Sequence, residues 1–201
     1  MTHYFSENPS STGKTTMIQT HQLGNRLSFK SQSGIFGWNK VDVGSELLVN
    51  NVSLPKEKDL QILDLGCGYG FLGIALAKKY PKNNFFLTDI NELAVRLARE
   101  NCKLNEVQTN TKIFQGNLYD PFTNIQFDVI ITNPPLMAGK KILQEIIAKS
   151  IAYLKDKGSI QLVVPKKKGL GSLQKMLENT YGSYQVVAKG SGFWILKAEK
   201  T

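Results

Sequence analysis

Two short stretches of the chain carry residue types that can do chemistry. In Asp64-Leu65-Gly66-Cys67-Gly68-Tyr69-Gly70, three alternate glycines stand directly behind an acid. Glycines so placed let a backbone turn tightly and approach a ligand closely, where any Cβ would obstruct. The second stretch, Asn133-Pro134-Pro135, closes the apolar run Phe127-Asp128-Val129-Ile130-Ile131-Thr132. Proline cannot pair inside a central strand, so this tripeptide lies beyond the sheet as a stiff polar loop. On the plainest reading it is a rigid strand-ending turn. On the chemical reading it offers two acceptors, the Asn133 side-chain oxygen and the Pro134 carbonyl, to an NH₂ group.

Two ligands compete for the glycine loop. Gly68 to Gly73 satisfies G-x-G-x-x-G, and Asp89 follows about 20 residues later, near the spacing of a ribose contact. That pattern alone is a weak sign of a dinucleotide. A carboxylate at Asp64 works against a nearby pyrophosphate and in favour of a cation. The amino group and sulfonium of S-adenosylmethionine are both cationic, so the methyl donor is the preferred ligand. The Asn-Pro-Pro loop suits the same reaction. An exocyclic or amide nitrogen is a poor nucleophile because its lone pair is delocalised. Acceptors on its protons strengthen as positive charge grows during in-line attack on the methyl, and positioning does the rest. No metal and no covalent enzyme intermediate enters such a step.

These residues need a scaffold, and the remaining pattern supplies one. From Leu60 onward, short apolar runs (60–65, 85–88, 111–114, 127–132, 159–164) alternate with helical periodicities (71–80, 91–104, 139–154, 170–179). That alternation predicts an α/β, Rossmann-like, doubly wound and mostly parallel sheet. Asn91 is the expected N-cap of the second of these helices. Runs 184–188 and 193–197, linked through Gly190 and Gly192, predict a C-terminal antiparallel hairpin. Residues 60–201 form the expected core. Residues 1–59 form the expected N-terminal extension, polar and irregular over 1–22, with short strands at 26–31 and 35–38 and a helix over 43–52. By the switch-point rule, both chemical stretches fall at the ligand-binding edge of such a sheet.

Composition narrows the class. Lys and Arg number 25 against 16 Asp and Glu, a net charge of +9. A basic domain attracts polyanions through counterion release, although a solvated lysine-rich surface gives the same balance. No apolar run approaches the roughly 20 residues of a membrane span, and the polar start lacks the apolar core of a signal peptide. The two cysteines, Cys67 and Cys102, suggest neither a disulfide framework nor a metal site, so a cytoplasmic location is expected. Gly13-Lys14-Thr15 imitates the end of a phosphate loop, but Asn8 stands where its first glycine is required.

Asp64-x-Gly66-x-Gly68-x-Gly70 resembles the first motif of the class I methyltransferases, which implies cofactor contacts from Asp64, Gly66, Cys67, Gly68 and Gly70. Asp89, with Ile90 beside it, matches that superfamily's ribose-binding acid. Gly116-Asn117-Leu118 matches its adenine-contacting turn, with Asn117 replacing the usual acid. Asn133-Pro134-Pro135 resembles the Asn/Asp-Pro-Pro-aromatic motif of amino-group methyltransferases, which implies Asn133, Pro134 and Pro135 as catalytic residues and Asn133 as a cofactor contact as well, except that Leu136 replaces the aromatic that stacks on the target. Phe36, Trp38 and Tyr69 are the candidate substitutes. Leu27 to Phe36, followed by Asp42-Val43-Gly44, resembles the lead-in of the small-subunit ribosomal RNA guanine-N2 methyltransferases and their single-domain archaeal relatives. His3-Tyr4-Phe5-Ser6 and the closing hairpin look like the archaeal group. The resemblance implies S-adenosylmethionine as cofactor, a guanine amine of ribosomal RNA as target, a lid near 36–44, and a monomer or homodimer; a protein glutamine or nucleic-acid adenine as target, and a non-catalytic S-adenosylmethionine-binding module, are the alternative readings. Lys140, Lys141, Lys166, Lys167 and Lys168 then flank the cleft as phosphate contacts.

Overall fold

The described residues begin with a hairpin that their composition hides. The computed structural model describes residues 13–57 and 59–201. Within them β1 (Thr15–Gln22) pairs antiparallel with β2 (Asn25–Gln32) in a two-stranded sheet of its own. Leu23 and Gly24 turn the chain with φ of 52° and 82°, the left-handed pair that a tight turn between twisted strands demands. The irregular reading of 1–22 is therefore corrected for 15–22, where Thr15, Thr16, Ile18 and Thr20 suit a pleated strand despite their polarity. Residues 35–38 form no strand either. Gly34 and Gly37 take positive φ (98° and 67°) there, and the chain turns. The expected likeness at His3 to Ser6 lies outside the described residues.

Helix α1 (Val43–Asn51) leads into the main sheet. Its elements follow as β3 (Gln61–Leu65), α2 (Phe71–Lys79), β4 (Asn84–Asp89), α3 (Glu92–Leu104), β5 (Thr111–Gln115) and β6 (Phe127–Thr132). A short 3-10 turn (Leu136–Ala138) then precedes α4 (Lys140–Tyr153), β7 (Leu154–Pro165), α5 (Leu170–Tyr181), β8 (Gln185–Gly190) and β9 (Phe193–Glu199). Strand β7 begins before the expected Ser159, at Leu154, because an irregular stretch shifts its register opposite Phe127 and Val129.

The seven strands lie in the order β5-β4-β3-β6-β7-β9-β8. Neighbours from β5 to β7 are parallel, and β9 runs antiparallel between β7 and β8. This is the doubly wound sheet expected, with β9 as its reversed strand. The winding direction changes at β3, with β4 and β5 on one side and β6 and β7 on the other. The C-terminal ends of β3 and β6 therefore stand side by side where ligands bind in open sheets. The glycine loop leaves one of these ends and Asn-Pro-Pro leaves the other.

Each face of the sheet buries its own apolar layer. Ile62, Leu87 and Val129 pack under α2 and α3 and share that layer with Leu48 of α1 and with Ile18, Leu27 and Phe29 of the hairpin. Leu63, Ile130 and Leu162 pack under α4 and α5. Alternating residues of one strand thus point to opposite faces, as a pleat requires. Phe29 meets both Tyr69 and Phe71 edge-on with ring centroids 5.6 Å apart, so the hairpin supports the glycine loop from behind.

Two asparagines one turn apart on α3 lock this support. Asn101 Oδ1 accepts from Lys30 N–H at 2.7 Å, and its Nδ2 donates to the carbonyls of Lys30 and Tyr69, each at 2.9 Å. Asn105 does the same for Ser28, accepting at 3.1 Å and donating at 2.8 Å. The two side chains stand in for a third strand along β2. Asn101 is fully buried, so Asn101→Ala strands several backbone groups. We expect it to cost about 3 kcal/mol, or roughly 10 °C in thermal midpoint. An unchanged melting curve would show that the hairpin docks by apolar packing alone.

Candidate active site

The glycine loop is bound to the neighbouring strand at its start. Gly66 and Cys67 N–H both donate to Thr88 O at 2.9 Å. Gly66, Gly68 and Gly70 take φ of 76°, 56° and 93°, a repeated left-handed geometry that side chains with a Cβ rarely adopt. A Cβ on Gly66 would meet nothing within 4 Å, so this backbone faces open space. Gly70 then caps α2 in the left-handed conformation.

Asp64 is 1% exposed. Its Oδ2 accepts from Gly73 N–H at 2.8 Å, whereas Oδ1 has no partner among the described residues. Burial pushes this carboxyl up to about 7, with the Gly73 bond opposing and the charge of Asp89 adding to the shift. Buried polar atoms are normally paired, so Oδ1 is an acceptor for which the fold supplies no donor. Thr88 Oγ1, on the adjacent strand, is also buried and unpartnered. The donor set fits S-adenosylmethionine, whose cationic amino group would complete Asp64.

Asp89 closes β4 half-buried. Its Oδ2 accepts from Gly68 N–H at 2.8 Å and its Oδ1 from Asn91 N–H at 2.9 Å. Burial raises this carboxyl, while backbone bonds from Asn91, Gly68 and Ile90 oppose the rise. Three of its four acceptor sites are engaged in this way, and one remains for a hydroxyl. Asn91 caps α3 as expected, accepting from Leu93 and Ala94 N–H. Gly116 N–H donates to Asp89 O at 3.0 Å, which brings the turn with exposed Asn117 and half-buried Leu118 to the same edge. Cys67 is buried, and burial together with the charges of Asp89 and Asp64 pushes its thiol up. It stays protonated and is no nucleophile.

Thr132 Oγ1 donates to Leu65 O at 2.8 Å, joining the ends of β6 and β3. The next residue, Asn133, is half-buried, and its Nδ2 donates to Asp42 Oδ2 at 2.9 Å and to Ser45 Oγ at 2.8 Å. Leu136 N–H donates to Pro134 O at 2.9 Å, closing an inverse γ-turn over Pro135, whose φ and ψ are −75° and 81°. One lone pair of the Pro134 carbonyl is thus engaged inside the loop, and one remains.

The other expected residues surround this crevice at varying depth. Leu136 lies against Gly169, next to exposed Lys166, Lys167 and Lys168. Lys166 N–H donates to Gly192 O at 2.8 Å, bringing the β8–β9 turn to the same end. Lys140 and Lys141 are exposed in the first turn of α4. Among the candidate stacking rings, Tyr69 is buried against Phe29 and Trp38 is half-buried, whereas Phe36 is 52% exposed. Its neighbour Ile35 is buried over Gly68. The functional contacts that sequence reasoning missed are those of Asp42 and Ser45. Nothing in the chain reveals the pairing of Asp42 with an asparagine 91 residues further on.

Comparison with known proteins agrees with this geometry. A protein of Bacillus subtilis described as uncharacterized protein YbxB is 40% identical over 199 residues, covering 98% of both chains. Ribosomal RNA small subunit methyltransferase C of Erwinia tasmaniensis is 29% identical over 92% of this chain and 53% of its own length. The chain therefore spans about half of that relative. A structure of the T. thermophilus 16S rRNA N2 methyltransferase RsmC with AdoMet and guanosine superposes with a TM-score of 0.81 at 24% identity, over 96% of this chain and 52% of that one. The methyltransferase small domain model matches residues 26–197. With the switch-point crevice, the unpaired Asp64 oxygen and the Asn-Pro-Pro loop in place, the chain belongs to the methyltransferase small domain family and is an S-adenosylmethionine-dependent methyltransferase.

Proposed function

We propose that the chain methylates the exocyclic amine, N2, of a guanine in ribosomal RNA. The observation that carries this reading is the Asn133 amide, fixed at the end of β6 with its nitrogen engaged and its oxygen left to accept. Asp64 Oδ1 takes the amino group of the methyl donor, and Asp89 takes a ribose hydroxyl. Gly66, Cys67, Gly68 and Gly70 admit the donor to the backbone, while Ile90, Asn117 and Leu118 border its adenine. S-adenosylmethionine supplies an electrophilic methyl and leaves as the neutral thioether.

The target amine donates to Asn133 Oδ1 and to the free lone pair of Pro134 O. As the nitrogen–carbon bond forms and the carbon–sulfur bond breaks, positive charge grows on nitrogen and both acceptors gain strength. One proton then leaves the nitrogen for water. The γ-turn at Pro135 fixes the direction of the Pro134 carbonyl. Leu136 is too small to stack as an aromatic does, and Phe36 supplies that surface from the 33–38 turn, where the described part of the 1–59 extension meets the core of 60–201. Lys140, Lys141, Lys166, Lys167 and Lys168 provide phosphate contacts, which fits the net charge of +9. The family relatives named for ribosomal RNA methylation support the substrate. No helix among the described residues is long and apolar enough to cross a membrane.

Small-subunit ribosomal RNA from cells with and without the gene for this chain tests the reading by nucleoside mass spectrometry. Loss of one N2-methylguanosine is expected. Unchanged RNA with loss of a methylated protein glutamine or an N-methyladenosine would keep the chemistry and replace the substrate.

A further inference from the structure

Asn133 sits at its strand end already oriented, held by residues far away in the chain. Asp42 Oδ2 can only accept, since a carboxylate has no proton to give. The amide group 2.9 Å from it is therefore the NH₂, and Ser45 Oγ receives the other proton at 2.8 Å. A flipped amide would set its oxygen against the carboxylate. The same Asp42 oxygen accepts Ser45 N–H at 2.9 Å as the N-cap of α1. Gly44 makes room for this arrangement. A Cβ there would stand 3.1 Å from Asp42 Oδ2 and 3.0 Å from Phe193 Cε1 of β9. A side chain at Gly44 would push the carboxylate off Asn133 or α1 off the sheet.

We propose that Asp42 and Ser45 are positioning residues, which hold the Asn133 amide with its oxygen toward the target amine and so couple α1 to the reaction. This rests on the reading that Asn133 accepts from that amine. The Asp42 charge also polarises the amide, leaving more negative charge on Oδ1 where positive charge grows on the nucleophile. The amide keeps both protons throughout, and neither positioning residue touches substrate.

A variant series on the full chain tests this, with kcat and KM for donor and RNA read beside the thermal midpoint. Asp42→Ala with Ser45→Ala is expected to lower kcat about 10- to 100-fold and to leave the donor KM within about twofold. Asp42→Asn should recover most of kcat, because its amide oxygen can still accept from Ser45 and Asn133. The decisive pair is a swap. Asn133→Asp sets two carboxylates together and should lose about 100-fold, and adding Asp42→Asn should restore at least about 10-fold, since an amide can donate to the new acid. A role as helix cap alone predicts that kcat tracks the thermal midpoint and that the swap restores nothing; that result overturns the proposal. Full activity in Asn133→Ala would instead remove the reading beneath it.

Discussion

Asn133→Ala is expected to lower the rate of methyl transfer by about 100- to 1000-fold, the scale of removing one preorganised partner of a charge that develops in the transition state. Affinity for S-adenosylmethionine should change by no more than about twofold, because the donor is held by the β3 and β4 ends. The two effects separate for a physical reason. The Asn133 oxygen strengthens its bond only as charge appears on the target nitrogen, so its loss falls on kcat. Rapid-quench turnover and calorimetric binding on one preparation check both halves. A variant that lost donor binding in step with turnover would place Asn133 in the donor site rather than at the nucleophile.

The second large effect concerns Asp64 and carries opposite signs for binding and for stability. Its carboxyl, pushed up to about 7 by burial, binds a cationic donor only when ionised. Donor affinity should therefore fall about eightfold between about pH 7.5 and about pH 6. Asp64→Asn should bind about 100-fold more weakly and lose this pH dependence. Without donor the sign reverses. An acid whose folded pKa lies above its ordinary 3.8 stabilises the fold below that value and loses the contribution as pH rises through about 7. Relative to Asp64→Asn, the donor-free wild type should lose at most about 4 kcal/mol between about pH 4 and about pH 8. Donor affinity that is flat across the same range, read by calorimetry, would contradict the Asp64 assignment.

The scaffold was legible because its signals are local. Apolar runs of strand length, the Asn91 cap and the glycine-linked final hairpin each depend on residues within one element, and they return as β3 to β9 with small shifts at the ends apart from the early start of β7. The first hairpin was hidden although Leu23-Gly24 turns it with nearly the φ angles of Ser191-Gly192. The difference is that Leu is an unusual residue for a left-handed turn and that β1 is mostly polar, with Ile18 alone of its residues in the apolar core. The placement of the site at a switch point also followed from element order. Side-chain partnerships across the fold did not. Asn101 reads as an ordinary polar helix residue until it is seen bridging Lys30 and Tyr69. Asp42 reads only as part of a family-like lead-in until its bond from Asn133 is seen. Such contacts join residues far apart in the chain, where neither period nor spacing records them. The inverse γ-turn that engages Pro134 was hidden for a different reason, since two prolines fix φ but leave ψ open.

The most direct measurement incubates the purified chain with methyl-labelled S-adenosylmethionine and small ribosomal subunits from cells lacking its gene, then digests the RNA and identifies the labelled nucleoside. Label confined to N2-methylguanosine, present with the wild type and lost with Asn133→Ala, is the predicted result. Label in another nucleoside, or in N2-methylguanosine at an undiminished rate with Asn133→Ala, would contradict the account.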